Sequence, residues 1–297
     1  MSEFVKVVEV GPRDGLQNEK QLVPAATKIE LIERLANAGL PVVEATSFVS
    51  PKWVPQMADA DEVLAGVQRR RGVSYPVLVP NVQGLERALA AGVEEIAVFT
   101  AASSAFTQKN INATVEESLA RLAPVIAQAL AKNLKVRAYV STVLGCPYQG
   151  EVPVSEVVRV TQVLVEQGCY EISLGDTIGV GTPRKARAML RACAEAVGMG
   201  RLAVHFHDTR GQALANILAC LEEGVRVADA SVSGLGGCPY ANGASGNVAS
   251  EDLIYMLHGM GVDTGVDLDA LVDTAKWISA ALGREPASKL ARIKPAS

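Results

Sequence analysis

The chain has 297 residues, 49% of them hydrophobic, and a mean hydropathy of +0.20, enough apolar material for a large buried core. Its formal net charge of −4 argues against a nucleic-acid surface, and no apolar run approaches the ~20 residues that span a bilayer. Five cysteines, an odd number with no CxxC pair, argue against a disulfide framework and fit a reducing compartment.

A strand-like run, Val5–Val10, opens the chain, so no leader is read and the cytoplasm is the expected location. Further strands are predicted at Val42–Ala45, Pro76–Val79, Glu95–Phe99, Lys135–Val140, Glu171–Leu174, Leu202–His205 and Val227–Ser231. Helical periodicity fills the intervals. Val115, Leu119, Leu122, Ile126 and Leu130, for example, recur at spacings of three and four. Pro24 and Pro183 suit first helical turns, and Gly39, Gly92, Gly168 and Gly224 each stand where a helix ends before a strand. Eight βα units without a linker predict a TIM (β/α)8 barrel over residues 1–297, a single catalytic domain. From about residue 267 a helical extension and basic tail (Arg284, Lys289, Arg292, Lys294) follow. A doubly wound open sheet is the alternative, but the first turn, Gly11-Pro12-Arg13-Asp14-Gly15, lacks the glycine pattern of a dinucleotide-binding loop. Arg69-Arg70-Arg71 is read as the end of the second helix, on the face opposite the site.

Active sites of such barrels lie at the C-terminal ends of the strands. There the sequence places Arg13, Asp14, Glu44, Asp176, His205 and His207, then a glycine-rich loop with Cys238, followed by Asn247 and Glu251. His205 and His207 alternate about Phe206, so both imidazoles face the barrel mouth. They form either a metal-ligand pair, with Asp14 as the natural carboxylate, or a hydrogen-bonded rim pair. Glu44 ends an apolar strand, where an unpaired carboxylate is costly, and Arg13 is its expected partner. Asp176 either caps a turn or handles a proton. Cys238 is either an inert thiol or a proton donor in a loop that approaches a ligand. Asn247 is either a helix N-cap or a metal ligand. Lys109 and Asn110, with Ser103, Ser104 and Thr107, form a loop suited to a phosphate-bearing cofactor such as CoA, or merely a solvated one. His258 is read as structural.

Three segments carry a resemblance: Gly11-Pro12-Arg13-Asp14-Gly15-Leu16-Gln17-Asn18-Glu19, His205-Phe206-His207-Asp208 and Ser231-Val232-Ser233-Gly234-Leu235-Gly236-Gly237-Cys238-Pro239-Tyr240. They resemble the hydroxymethylglutaryl-CoA lyase family of the DRE-TIM metallolyases, along nearly the whole chain. The resemblance implies a divalent cation, Mg2+ or Mn2+, on Asp14, His205, His207 and Asn247. It implies that Arg13 faces the thioester carbonyl supported by Glu44, that Asp176, His205 and Cys238 take part in catalysis, and that Gln17 and Glu251 stand behind the ligands. The implied reaction is cleavage of 3-hydroxy-3-methylglutaryl-CoA to acetyl-CoA and acetoacetate, in leucine or ketone-body metabolism, by a homodimer with no nucleic-acid or membrane partner. Alternatives are a lyase for a longer-branched 3-hydroxyglutaryl-CoA, a condensing enzyme or aldolase of the same superfamily, and a non-catalytic metal-binding barrel.

Overall fold

A computed structural model of the chain describes residues 3–237 and 246–293. Its strands are β1 (Lys6–Glu9), β2 (Val42–Val43), β3 (Thr46–Ser47), β4 (Val77–Leu78), β5 (Glu95–Ala101), β6 (Lys135–Ser141), β7 (Glu171–Asp176), β8 (Leu202–Phe206) and β9 (Val227–Ala230). All pair in parallel, in the order β2-β1-β9-β8-β7-β6-β5-β4-β3. The two ends of that order, β2 and β3, are separated only by Glu44 and Ala45, so they are consecutive pieces of one strand. One piece pairs with β1 and the other with β4, which closes the sheet into an eight-stranded barrel. This is the TIM (β/α)8 fold expected from the sequence.

Glu44 therefore does not end its strand, as the sequence reading had it, but sits between the two pieces. Its backbone N–H donates to Glu9 O at 2.8 Å, and that of Ala45 donates to Pro76 O at 2.9 Å, so the chain changes partner here. The strand continues past a buried carboxylate because Arg13 meets the charge, which removes the reason for stopping.

The helices are α1 (Ala25–Asn37), α2 (Ala60–Gly66), α3 (Val82–Ala90), α4 (Ser104–Ile111), α5 (Val115–Ala131), α6 (Val154–Glu166), α7 (Pro183–Val197), α8 (Ala213–Glu222), α9 (Ser250–Gly259) and α10 (Leu268–Ala281). None among the described residues is long and apolar enough to cross a membrane. α5 starts at a capping box, Thr114 with Glu117, and buries Val115, Leu119, Leu122 and Ile126 as their spacing predicts. Leu130, in its last turn, is instead partly exposed. Asp267 caps α10, its carboxylate accepting the N–H of Asp269 and Ala270. Beyond it the tail is fastened to loops after β1 and β8: Arg284 pairs with Glu19 at 2.7 Å and Lys289 with Asp208 at 3.7 Å. Lys294 lies outside the described residues.

Arg69 and Arg70 do not end α2, which stops at Gly66. They reach from the following loop to other helices' C-termini: Arg69 donates to Ala91 O and Gly92 O after α3, Arg70 to Ala36 O in α1. A cation is favoured at the negative end of any helix dipole, its own or a neighbour's, and sequence proximity alone cannot tell which.

The joint glycines all have positive φ, but they differ in surroundings. At Gly39 (φ +95°) an added Cβ would lie 2.3 Å from Gly265 O, whereas at Gly92 (φ +65°) it would meet nothing within 4 Å. Gly39→Ala should thus cost roughly 2–4 kcal/mol and Gly92→Ala only about 1 kcal/mol. Urea unfolding of the two variants checks this, and equal losses would contradict it.

Candidate active site

The turn after β1, Gly11–Gly15, is a short π-helical turn. The N–H groups of Asp14 and Gly15 both donate to Val10 O, which curls Arg13 and Asp14 back over the end of the barrel. Gly15 is required there, because a Cβ would sit 2.7 Å from Leu235 Cβ and from Ser231 Oγ. Arg13 is buried and held on two sides. Its Nε donates to Glu44 Oε2 at 2.7 Å and its Nη1 to Asp14 Oδ1 at 2.7 Å. Tyr139 Oη also donates to Glu44 Oε2 (3.1 Å), and the guanidinium carbon lies 5.2 Å from the Tyr139 ring centre. Burial alone would disfavour the Arg13 cation, but Glu44 and then Asp14 outweigh it and hold the group charged. Burial pushes Glu44 up, against the pull of Arg13, and Glu44 Oε1 has no partner among the described residues.

Beside this pair, Asp14, His205 and His207 bring one ligand-capable atom each to within 4.8 Å of one another. His205 Nε2 is 3.9 Å from Asp14 Oδ2, and the two imidazole centres are 5.4 Å apart. Burial raises the Asp14 carboxyl, but Arg13, then His205 and His207, bring it down to about 2. Burial, then His205, pushes His207 down to about 4, so its imidazole is neutral and can offer a lone pair near neutral pH. His207 Nδ1 is buried and has no hydrogen-bond partner among the described residues. One carboxylate, two imidazoles and an unsatisfied ring nitrogen fit a divalent cation.

Asn247 is tied to this cluster, its Nδ2 donating to Asp14 Oδ2 at 2.8 Å and to Leu235 O at 3.1 Å. The N-cap of α9 is Ala249, so Asn247 is not the cap. Asp176 is fully buried at the end of β7, and its carboxylate accepts the backbone N–H of Val180 (3.2 Å) and Gly181 (2.8 Å). It thus does shape a turn, and burial pushes its pKa up, ahead of the lowering effect of those N–H groups. Glu251 accepts Ser233 N–H at 2.8 Å and so holds the segment that runs toward Cys238. Gln17 is half-buried with its Oε1 unpartnered among the described residues. Cys238 lies outside the described residues. Lys109 and Asn110 stand on α4, a helix rather than the predicted loop, and both are exposed; Asn110 Nδ2 donates back to Phe106 O. The helix is short, and Ser103 fixes its start by accepting Phe106 N–H, a local cap that outweighs a weakly periodic sequence.

The HMGL-like family model matches residues 4–278. The chain is 59% identical over 288 residues to the mitochondrial hydroxymethylglutaryl-CoA lyase of Gallus gallus, covering 97% of each. The chain belongs to the hydroxymethylglutaryl-CoA lyase family. Among solved structures, the hydroxymethylglutaryl-CoA lyase of Pseudomonas aeruginosa superposes with a TM-score of 0.96 at 55% identity, covering 98% of this chain and 97% of that one. An HMG-CoA lyase of Acinetobacter baumannii, solved with coenzyme A and 3-methylmalate, superposes with a TM-score of 0.93 at 37% identity, covering 99% and 98%.

In this member of the lyase family, several buried polar residues around the site lay outside the sequence reading. Asp229 on β9 accepts from His205 Nδ1 (3.2 Å), Ser173 Oγ (2.7 Å) and Arg137 Nη2 (2.5 Å). Arg137 also donates to Glu171 at 2.6 Å, and Lys6 holds Glu171 from the other side at 2.7 Å. The signal was a charged residue at an inward-facing position within an apolar strand, as in Val227-Ala228-Asp229 and Lys135-Val136-Arg137, rather than at a strand end.

Glu9 was missed too. It is fully buried and accepts Gly11 N–H (2.7 Å), Val232 N–H (2.9 Å) and Ser250 Oγ–H (2.6 Å), joining the arginine turn to the segment after β9. Burial pushes Glu9 up to about 7 and Glu251 up to about 8. A carboxyl raised in the folded state binds more protons there than in the unfolded chain, so its stabilising contribution is complete below about pH 4.5 and is lost as pH rises through 7–8. Stability should therefore fall from about pH 4.5 to about pH 8, by on the order of several kcal/mol. Urea titrations of the wild type and of Glu251→Gln would show a flatter decline in the variant; parallel curves would refute the assignment.

Proposed function

We propose that the chain cleaves 3-hydroxy-3-methylglutaryl-CoA to acetyl-CoA and acetoacetate. The observation that carries this is the buried Arg13, clamped by Glu44 and placed directly against the Asp14–His205–His207 cluster. It is an anion-stabilising charge beside a cation site at the mouth of a barrel. Mg2+ or Mn2+ held by Asp14, His205, His207 and Asn247 supplies Lewis acidity toward substrate oxygens.

In the proposed reaction the tertiary hydroxyl loses its proton, the adjacent carbon–carbon bond breaks, and its electron pair moves into the thioester enolate. Asp176, whose pKa burial raises, takes the hydroxyl proton. Arg13 stabilises the enolate oxygen, and Glu44 fixes the guanidinium so that no reorganisation is needed as charge develops. Cys238 returns a proton to the enolate carbon, giving acetyl-CoA. Gln17 and Glu251 support the turn and the segment that carry these groups, and Lys109 and Asn110 bind CoA phosphates. We further propose one catalytic unit formed by the whole chain, acting as a cytoplasmic homodimer.

Turnover with a panel of branched 3-hydroxyglutaryl-CoA thioesters, with both products identified by mass, tests the reading. The methylglutaryl substrate should give the highest kcat/KM. Faster cleavage of a longer-branched analogue would reassign the substrate, and no cleavage of any of them would overturn the lyase reading.

A further inference from the structure

We propose that Asp229, clamped by Arg137, is a positioning residue that keeps the His205 proton on Nδ1 and so leaves Nε2 free as a lone-pair donor. This rests on the reading of Asp14, His205 and His207 as a cation site. The two nitrogens of His205 face different surroundings. Nε2 points to the cluster, 3.9 Å from Asp14 Oδ2, and Nδ1 points into the barrel, 3.2 Å from Asp229 Oδ2. Asp229 is 1% exposed and is ringed by donors: Arg137 Nη2 (2.5 Å) and Nη1 (3.2 Å), Ser173 Oγ (2.7 Å) and His205 Nδ1.

An ionised carboxylate can only accept, so the His205 ring bonds it only by carrying its proton on Nδ1. The neutral ring then has its lone pair on Nε2, the nitrogen that faces Asp14. A carboxylate behind a metal-binding histidine fixes tautomer and ring orientation in this way, and removing it typically costs 10–100-fold in metal affinity. Arg137 in turn cannot drift, because its Nε is held by Glu171 and its guanidinium carbon lies 4.8 Å from the Tyr139 ring centre.

Asp229→Asn turns the same geometry against itself. The Arg137 Nη2 contact with Oδ1 (2.5 Å) is shorter than its Nη1 contact with Oδ2 (3.2 Å), so the amide oxygen takes the Oδ1 place and the NH2 takes the Oδ2 place, which faces His205 Nδ1. Nδ1 must then accept, the proton moves to Nε2, and the lone pair is lost to the cluster.

The test uses the full chain with 15N-labelled histidine, free of metal, and then titrated with Mn2+ alone. Wild type should show His205 as the Nδ1–H tautomer and Asp229→Asn should show Nε2–H, with His258 unchanged as an internal reference. The Mn2+ Kd should rise about 10–100-fold in the variant. If Asp229→Asn does not fold, Arg137→Met/Asp229→Leu replaces the Arg137–Asp229 pair by apolar groups, with Lys6 still paired to Glu171 (2.7 Å), a change proteins tolerate better than a lone buried charge. His205 should then show mixed tautomers and weaker Mn2+ binding. An Nδ1–H tautomer retained in the variant that folds, together with normal Mn2+ binding, overturns the inference. Absence of Mn2+ binding in the wild type overturns the cation-site reading beneath it.

Discussion

Arg13→Met is expected to lower kcat by about a thousandfold or more while leaving KM within a few-fold of wild type. Removing one preorganised donor to a developing oxyanion commonly costs 10²–10³, and here the lost group also carries a full charge. The effect should fall on kcat because the enolate exists only along the reaction path, and an interaction absent in the ground state cannot alter binding. The fold should survive. Glu44 would lose its cation, but burial already pushes its pKa up, so it can take a proton instead of remaining a bare anion, and Tyr139 still donates to it. Arg13→Lys should recover only part of the rate, since an ammonium cannot reproduce the fork that reaches Glu44 and Asp14 together. Steady-state kinetics decide the matter, and a large rise in KM at constant kcat would make Arg13 a substrate anchor only.

Chelation should abolish activity and leave the barrel folded. The candidate ligands Asp14, His205 and His207 sit at the rim, whereas the interior is held by continuous strand pairing and by the Arg137–Asp229 and Arg137–Glu171 pairs. Far-UV circular dichroism should therefore not change, and the thermal midpoint should drop by only the few degrees that ligand linkage predicts. Added Mg2+ or Mn2+ should restore turnover. Full activity after exhaustive chelation, with metal content confirmed by mass spectrometry, would remove the cation from the reaction.

Barrel strands are short apolar runs, and four of the helices between them end at a glycine of positive φ (Gly39, Gly92, Gly168 and Gly224), so the repeat could be read directly. The pairing of Arg13 with Glu44 was legible for a physical reason, because a carboxylate in an apolar strand demands a cation. Arg137 and Asp229 were not legible in that way. They are 92 residues apart, and only barrel closure reveals that two charges at inward positions neutralise each other. The arginine run at Arg69 misled for a related reason: its acceptors, Ala91 O and Ala36 O, belong to helices that are neighbours in space only. The helix carrying Lys109 was hidden because its eight residues give little period to detect.

The distribution of these charges has a bearing on how such a molecule could be divided. Arg13 is neutralised by Asp14 and Glu44, and Arg137 by Glu171 and Asp229, so each buried arginine finds its counter-charges on its own side of the turn at Asn133. The candidate ligands are apportioned differently, with Asp14 before that turn and His205, His207 and Asn247 after it. Half-barrels cut at Asn133 would therefore each keep their own arginine paired, yet neither would hold a site. Mixing them should create Mn2+ binding that neither fragment has alone, and fragments that bind Mn2+ separately would disprove this. The candidate site is in this sense a property of the seam, assembled only when two halves, each with its own buried arginine paired, meet.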